Sequence, residues 1–131
     1  MRLVDSSVWV DYLHNAPTRS AQWLDAALLD GPPALTEPVL MEVLAGLSDH
    51  ESRRFETLVS TLELAAVTPD IDYRVAADIY RATRRVGRTV RQLNDCLIAA
   101  VALRTGATLV HKDVDFEVIA EIFQLDHLSL R

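Results

Sequence analysis

The side chains best suited to chemistry in this chain are carboxylates. Asp5 ends the short apolar segment Leu3-Val4, and Glu42 lies beside a stripe made by Val39 and Val43. Asp95 heads a long apolar run, and Asp113 and Asp115 follow Leu109-Val110. Each acid alone has an ordinary role. Asp5 could end a strand or cap a helix, and Glu42 could be a solvated flank residue. Asp113 and Asp115 could form a polar turn and an N-cap. Asp95 could be a first-turn aspartate, favoured by the helix dipole by roughly 0.3–1 kcal/mol. It nevertheless shares a helix face with Ile98, Ala99 and Ala102, and an acid heading a buried apolar face is costly unless something pairs with it. As a set the acids suggest more, because clustered carboxylates repel one another without a cation. Ligands that are all oxygen suit a hard ion such as Mg²⁺ or Mn²⁺. Two such ions about 3.5–4 Å apart can activate a water and stabilise a leaving oxygen, which is the chemistry of phosphodiester hydrolysis.

Such a cluster needs elements that bring distant acids to one place. Leu3-Val4 has the pattern of a buried strand, followed by a helix with Ser6 as its N-cap and Val8, Trp9, Tyr12 and Leu13 at helical spacing. Pro17 breaks that helix, and a second spans Ser20 to Leu29 before Gly31-Pro32-Pro33. Ala34-Leu35-Thr36 is a second strand, and Pro38 sits in the first turn of the helix that carries Glu42. An amphipathic helix over Asp49 to Leu62 precedes a third strand at Leu64-Ala65-Ala66-Val67. A helix from Ile71 to Val86 stops at Gly87. Asn94 is the expected N-cap of a helix from Asp95 to Thr105, apolar nearly all round and therefore buried. Ala107 to Val110 is a strand, Glu117 to Phe123 a short helix, and His127-Leu128 a last strand. Short strands alternating with helices imply an α/β fold with a mainly parallel sheet of about five short strands. Ligands in such folds bind outside the carboxyl ends of the strands, which places Asp5 and Asp113 on one rim.

The chain has 131 residues, half of them hydrophobic, enough for the core of one domain over residues 1–131. No linker or low-complexity stretch interrupts it. The start lacks the apolar region of a secretory signal, no apolar run is long enough to span a bilayer, and Cys96 has no cysteine to pair with. These features point to a cytoplasmic protein with no membrane attachment. The formal net charge of −6 opposes a general nucleic-acid coat, because phosphate neutralisation favours basic proteins. A nuclease of this charge needs its acids gathered on metal and a local basic patch.

The segments LVDSSVWVDYL, EPVLMEVLAGL and LNDCLIAAVALRTGATLVHKDVDF, in this order and spacing, resemble the PIN-domain ribonucleases. More closely they resemble the VapC toxins of bacterial and archaeal toxin–antitoxin pairs, over essentially the whole chain. The resemblance implies a PIN-like three-layer sandwich. It implies a catalytic metal site at Asp5, Glu42, Asp95 and Asp113, with Asp115 as a further ligand or supporting acid. Ser7 matches the small hydroxyl residue after the first aspartate, where it could bond a ligand carboxylate or a water. It further implies an Mg²⁺- or Mn²⁺-dependent endoribonuclease acting on RNA of the tRNA or ribosomal class. Such a toxin is typically a homodimer, silenced by a cognate VapB-type antitoxin. His111 departs from the pattern, standing where many relatives carry Thr or Ser. It could tune metal affinity or meet the phosphate, or simply make a polar contact at a strand end.

Arg81, Arg84, Arg85, Arg88 and Arg91 fall within eleven residues that contain no acid. They form either a local RNA-binding patch, chiefly Arg88 and Arg91 with Arg85, or a solvated face whose late arginines complement a helix C-terminus. Trp9, Tyr12 and Trp23 suit either the core or a groove for an antitoxin helix. Two other functions compete. A phosphoacceptor receiver-like signalling domain shares the length and acidic rim, although Asp5 is followed by serines rather than paired with an acid and Lys112 is a weak match to its lysine. A PIN-like binding protein without activity would share the fold.

Overall fold

The computed structural model describes all residues from 1 to 131. Its strands are β1 (Arg2–Val4), β2 (Thr108–His111) and β3 (His127–Ser129), parallel and in the order β1-β2-β3. Leu3 lies opposite Leu109 and Val4 opposite Val110, while Val110 in turn faces Leu128. Seven helices connect and cover the strands: α1 (Ser6–Leu13), α2 (Arg19–Asp30), α3 (Glu37–Ala45), α4 (Asp49–Val59), α5 (Pro69–Arg85), α6 (Leu93–Thr105) and α7 (Val114–Ile122).

The sheet is thus α/β and parallel, but it has three strands, not about five. The two missing strands survive as single parallel bridges, Leu3 to Ala34 and Leu35 to Leu64. The cause is local. Pro32 and Pro33 have no N–H to donate to a ladder, and the backbone turns into α3 immediately after Thr36. Of the backbone ladder, Ala34 N to Arg2 O (2.9 Å) joins the first segment to β1, while Leu35 N to Glu63 O (2.9 Å) and Ala65 N to Leu35 O (2.7 Å) join the second segment to the first.

Leu109 and Val110 point to opposite faces of the middle strand, and both are fully buried. Helices therefore cover both faces, with α1 and α6 each packing on β2. The cluster of 29 buried core residues runs from Leu3 to Leu130. Trp9 belongs to it, edge-on to Phe55 at 5.3 Å between ring centres, so it is a core side chain. Tyr12 and Trp23 are half-buried, under Arg54 and Arg2 respectively. Within α6 every residue from Asp95 to Ala102 is buried, as its all-round apolarity requires.

Five helix starts differ from expectation: α2 begins at Arg19 and α5 at Pro69, one and two residues early, and α1, α6 and α7 differ through their caps. Asp5, not Ser6, caps α1, its carboxylate accepting from Ser7 N. α6 begins at Leu93 with Gln92 at the cap, so Asn94 lies inside the first turn and donates to Pro38 O at 3.3 Å. α7 begins at Val114, earlier than Glu117, because Asp113 caps it by accepting from Asp115 N at 2.9 Å. Gly87 and Gly106 take left-handed φ of 73° and 70° just past α5 and α6, a conformation that favours glycine.

Candidate active site

The parallel ladder continues one step past β1, where Asp5 N donates to Val110 O at 2.9 Å. That bond fixes Asp5 at the carboxyl edge of the sheet, beside the end of β2. Its side chain is buried, and Oδ2 accepts from Ser7 Oγ at 2.7 Å and Ser7 N at 3.4 Å. Oδ1 is buried with no hydrogen-bond partner. Burial pushes the Asp5 carboxyl above its ordinary range, the Ser7 and Ser6 hydrogen bonds oppose this, and the charge of Asp113 adds to it.

Glu42 comes from the second turn of α3, half-buried, with Oε1 accepting from Ser6 Oγ at 3.3 Å. Burial and the neighbouring Asp5 raise its pKa. Asp95, in the first turn of α6, is 8% exposed. Burial, then the charges of Asp5, Glu42, Asp113 and Asp115, push its carboxyl up to about 8. Asp113 caps α7 and Asp115 lies in its first turn, Asp115 being buried.

These five acids form two overlapping groups. Asp5, Glu42 and Asp95 each offer an oxygen within 4.8 Å of the others, and so do Asp95, Asp113 and Asp115. Oxygens on an octahedral Mg²⁺ or Mn²⁺ lie roughly 2.0–2.1 Å from the ion, so a spread of this size can close around one. The unpartnered, buried Oδ1 of Asp5 is the atom most in need of such a partner. Four of the acids sit at the starts of α1, α6 and α7, whose dipoles favour negative charge there. The fold thus supplies part of the positive potential that holds the cluster together.

The expected hydroxyl at Ser7 does hold Asp5. Ser6 holding Glu42 was missed, although its place next to Asp5 was a usable sign. The arginines are distributed differently from a free patch. Arg91 donates from Nε to Asp115 Oδ2 at 3.0 Å and from Nη2 to Asp113 Oδ1 and Oδ2 at 3.1 and 3.2 Å. Its backbone N also reaches Asp115 Oδ2 at 3.2 Å. Arg88 pairs with Glu121, and Arg85 is exposed in the last turn of α5.

His111 belongs to neither group of acids. It is fully buried, its Nδ1 accepting from Asp113 N at 3.2 Å, while its Nε2 lies 2.9 Å from His127 Nδ1. The bond from Asp113 places the proton of the neutral ring on Nε2, which donates to His127. Burial, then the charge of His127, lowers its pKa to about 4. The polar contact is therefore what this histidine makes, and its partner His127 carried no metal-ligand spacing that would have marked it.

A parallel α/β sheet whose carboxyl edge gathers five acids is suited to holding a hard divalent cation. The PIN domain family model matches residues 2–122. The chain is 46% identical over 134 aligned positions to VapC ribonuclease Mb1587 of Mycobacterium bovis, with all of both chains covered. The same figures hold for ribonuclease VapC11 of Mycobacterium tuberculosis. Among solved structures, VapBC2 from Rickettsia felis bound to a promoter DNA fragment matches with a TM-score of 0.78 at 19% identity, covering 99% of this chain and 98% of that one. DNA-bound VapBC from Salmonella typhimurium gives 0.78 at 19% identity with both chains fully covered, and at such identity these two similarities show the fold. The chain belongs to the PIN-domain family and, within it, to the VapC ribonucleases.

Proposed function

We propose that this protein is the toxin of a VapBC-type toxin–antitoxin pair, an endoribonuclease that hydrolyses RNA phosphodiester bonds at the carboxylate cluster. The observation that carries the site is the convergence of five acids around a buried, unpartnered Asp5 Oδ1. The ribonuclease names of the full-length relatives support the substrate class. Asp5, Glu42, Asp95 and Asp113 would hold a divalent cation, Mg²⁺ with Mn²⁺ as an alternative, with Asp115 beside them. When bound, such an ion activates water and stabilises charge on the phosphate and leaving oxygens.

The chain's own groups prepare that chemistry. Ser7 fixes Asp5 Oδ2, which leaves Oδ1 for the cluster, and Ser6 orients Glu42. Burial and the surrounding acids favour the protonated form of Asp95 near neutrality, and a cation held there would favour the carboxylate. Arg91 lies against Asp113 and Asp115, and with Arg85 and Arg88 it is assigned to the RNA backbone. One domain over residues 1–131, a cytoplasmic setting, a homodimer, a VapB-type antitoxin and an RNA of the tRNA or ribosomal class complete this assignment. No helix is long and apolar enough to cross a membrane. The phosphoacceptor alternative finds no support at its lysine, because Lys112 Nζ is paired with Asp11 of α1.

The test is Asp5→Asn. Purified variant and wild type are compared on total RNA with Mg²⁺, with Mn²⁺ and with excess chelator, alongside growth after induction. Cleavage and toxicity should vanish in the variant, and chelation should stop the wild type until metal is restored. Wild-type rates from Asp5→Asn would show the site to be elsewhere.

A further inference from the structure

The two groups of acids are not alike. In the first, Ser7 holds Asp5 and Ser6 holds Glu42, and none of the carboxylates of Asp5, Glu42 and Asp95 is paired with a basic side chain. The second, Asp95, Asp113 and Asp115, already carries a cation. One guanidinium nitrogen of Arg91 is within 3.2 Å of both Asp113 oxygens, and Nε is 3.0 Å from Asp115 Oδ2. Whichever Asp113 oxygen turns toward Asp95, Arg91 is on it.

Nor is Arg91 placed there by chance rotation of a long side chain. Its backbone N donates to the same Asp115 oxygen that its Nε holds, which pins the start of the side chain. The preceding Val90 is fully buried and anchors the segment leading into α6. The guanidinium therefore arrives from a fixed base, and Arg is always charged. A divalent ion ligated by Asp113 would lie a few ångströms from that charge, where repulsion is strong, and would compete with a forked, charge-assisted pair.

We infer that Arg91 supplies the second positive charge of the active site in place of a second metal ion, so that this nuclease holds one divalent cation, on Asp5, Glu42 and Asp95. The inference rests on the metal-site assignment above and divides its acids. Asp5, Glu42 and Asp95 are ion ligands, whereas Asp113 and Asp115 are chiefly the seat of Arg91. Arg91 is then a positioning residue for the cation, and its exposed outer face is available to the RNA phosphate.

The experiment counts ions without reference to activity. Metal-free full-length protein is titrated with Mn²⁺, and free ion is followed by electron paramagnetic resonance for wild type, Arg91→Ala and Arg91→Lys. Wild type should saturate at one ion. Arg91→Ala should gain a second, weaker site, and Arg91→Lys, which keeps the charge, should remain at one. Two ions on the wild type would overturn the inference and leave the metal site intact. So would a count of one for Arg91→Ala, or of two for Arg91→Lys. No saturable binding to the wild type would remove the metal-site assignment itself, and this inference with it.

Discussion

Replacing Asp95 with Asn should abolish cleavage and, in the absence of metal, make the protein more stable. Asp95 is 8% exposed and surrounded by four other acids, and its carboxyl rises from the ordinary 3.8 to about 8. Between those values the folded state holds a proton at Asp95 that the unfolded chain has released. Stability from this group therefore falls as pH rises from about 4 to about 8, and levels off above. Full ionisation sets a ceiling of about 6 kcal/mol of destabilisation, at roughly 1.4 kcal/mol per pH unit. Side-chain rotation and water entry relieve part of this, so about 2–3 kcal/mol is the expected gain for Asp95→Asn at pH 8.5. The assay is urea unfolding in chelator at several pH values, followed by fluorescence of the buried Trp9 and half-buried Trp23. The wild type should weaken steadily toward alkaline pH, and the variant should show a shallower slope. With saturating Mn²⁺ the order should reverse, because only the wild type gains the full binding energy. A variant less stable than the wild type at pH 8.5 in chelator would refute the reasoning.

Two further outcomes concern buried polar pairs. Asp72 of α5 is fully buried and receives Arg104 Nε at 2.9 Å and Nη2 at 2.9 Å, while Nη2 also reaches Ala66 O at 2.7 Å. Arg104→Ala should lower stability by about 2–3 kcal/mol at pH 7, at or just below the range for breaking a buried pair because Arg104 is partly exposed. Burial works to raise the Asp72 carboxyl, but Arg104 and the Thr68 N–H hold it below its ordinary range. Its contribution is present above the ordinary carboxylate pKa and lost as pH falls through the depressed value, so thermal melts should show the Arg104→Ala penalty shrinking in acid. His111, whose pKa falls from 6.5 to about 4, should stay neutral in an imidazole NMR titration until near pH 4. Its contribution to stability is whole above pH 6.5 and fades as pH drops toward 4.

The parts legible in the sequence were those that depend on short-range pattern. Leu3-Val4-Asp5 had the pattern of a strand ending on an acid, and the apolar run after Asp95 that of a buried helix. Both are so, since an apolar run reports burial directly. The segments at Ala34 and Leu64 are apolar for the same reason, yet a strand also needs free N–H groups and length, which Pro33 and the turn into α3 remove. Helix starts slipped by one to three residues at α1, α6 and α7 because a cap is decided by how the chain enters the helix. The pairings Ser6–Glu42, Arg91–Asp115 and His111–His127 join residues 36, 24 and 16 positions apart. They follow from which loops meet in space, and nothing local announces them. That is why Arg91 looked like a free RNA contact and proved to lie across the acids.

The position of β2 between β1 and β3 bears on when the protein becomes active during its own synthesis. Ala34 joins β1 through a single bridge, but the strand that pairs with β1 along its length begins only at Thr108. About a hundred residues, α1 to α6 among them, must therefore be spanned before β1 gains a full strand beside it. Closure over such a length is slow to nucleate, although its entropy grows only with the logarithm of loop length. Asp5 precedes Asp113 by more than a hundred residues, so the two acids can meet only after the intervening helices have been made. A chain abandoned before Thr108 lacks the middle strand, the Val110 carbonyl that anchors Asp5 and one side of the acidic cluster. The acidic cluster is therefore a late product of the chain, complete only once the residues through Asp115 are available to fold.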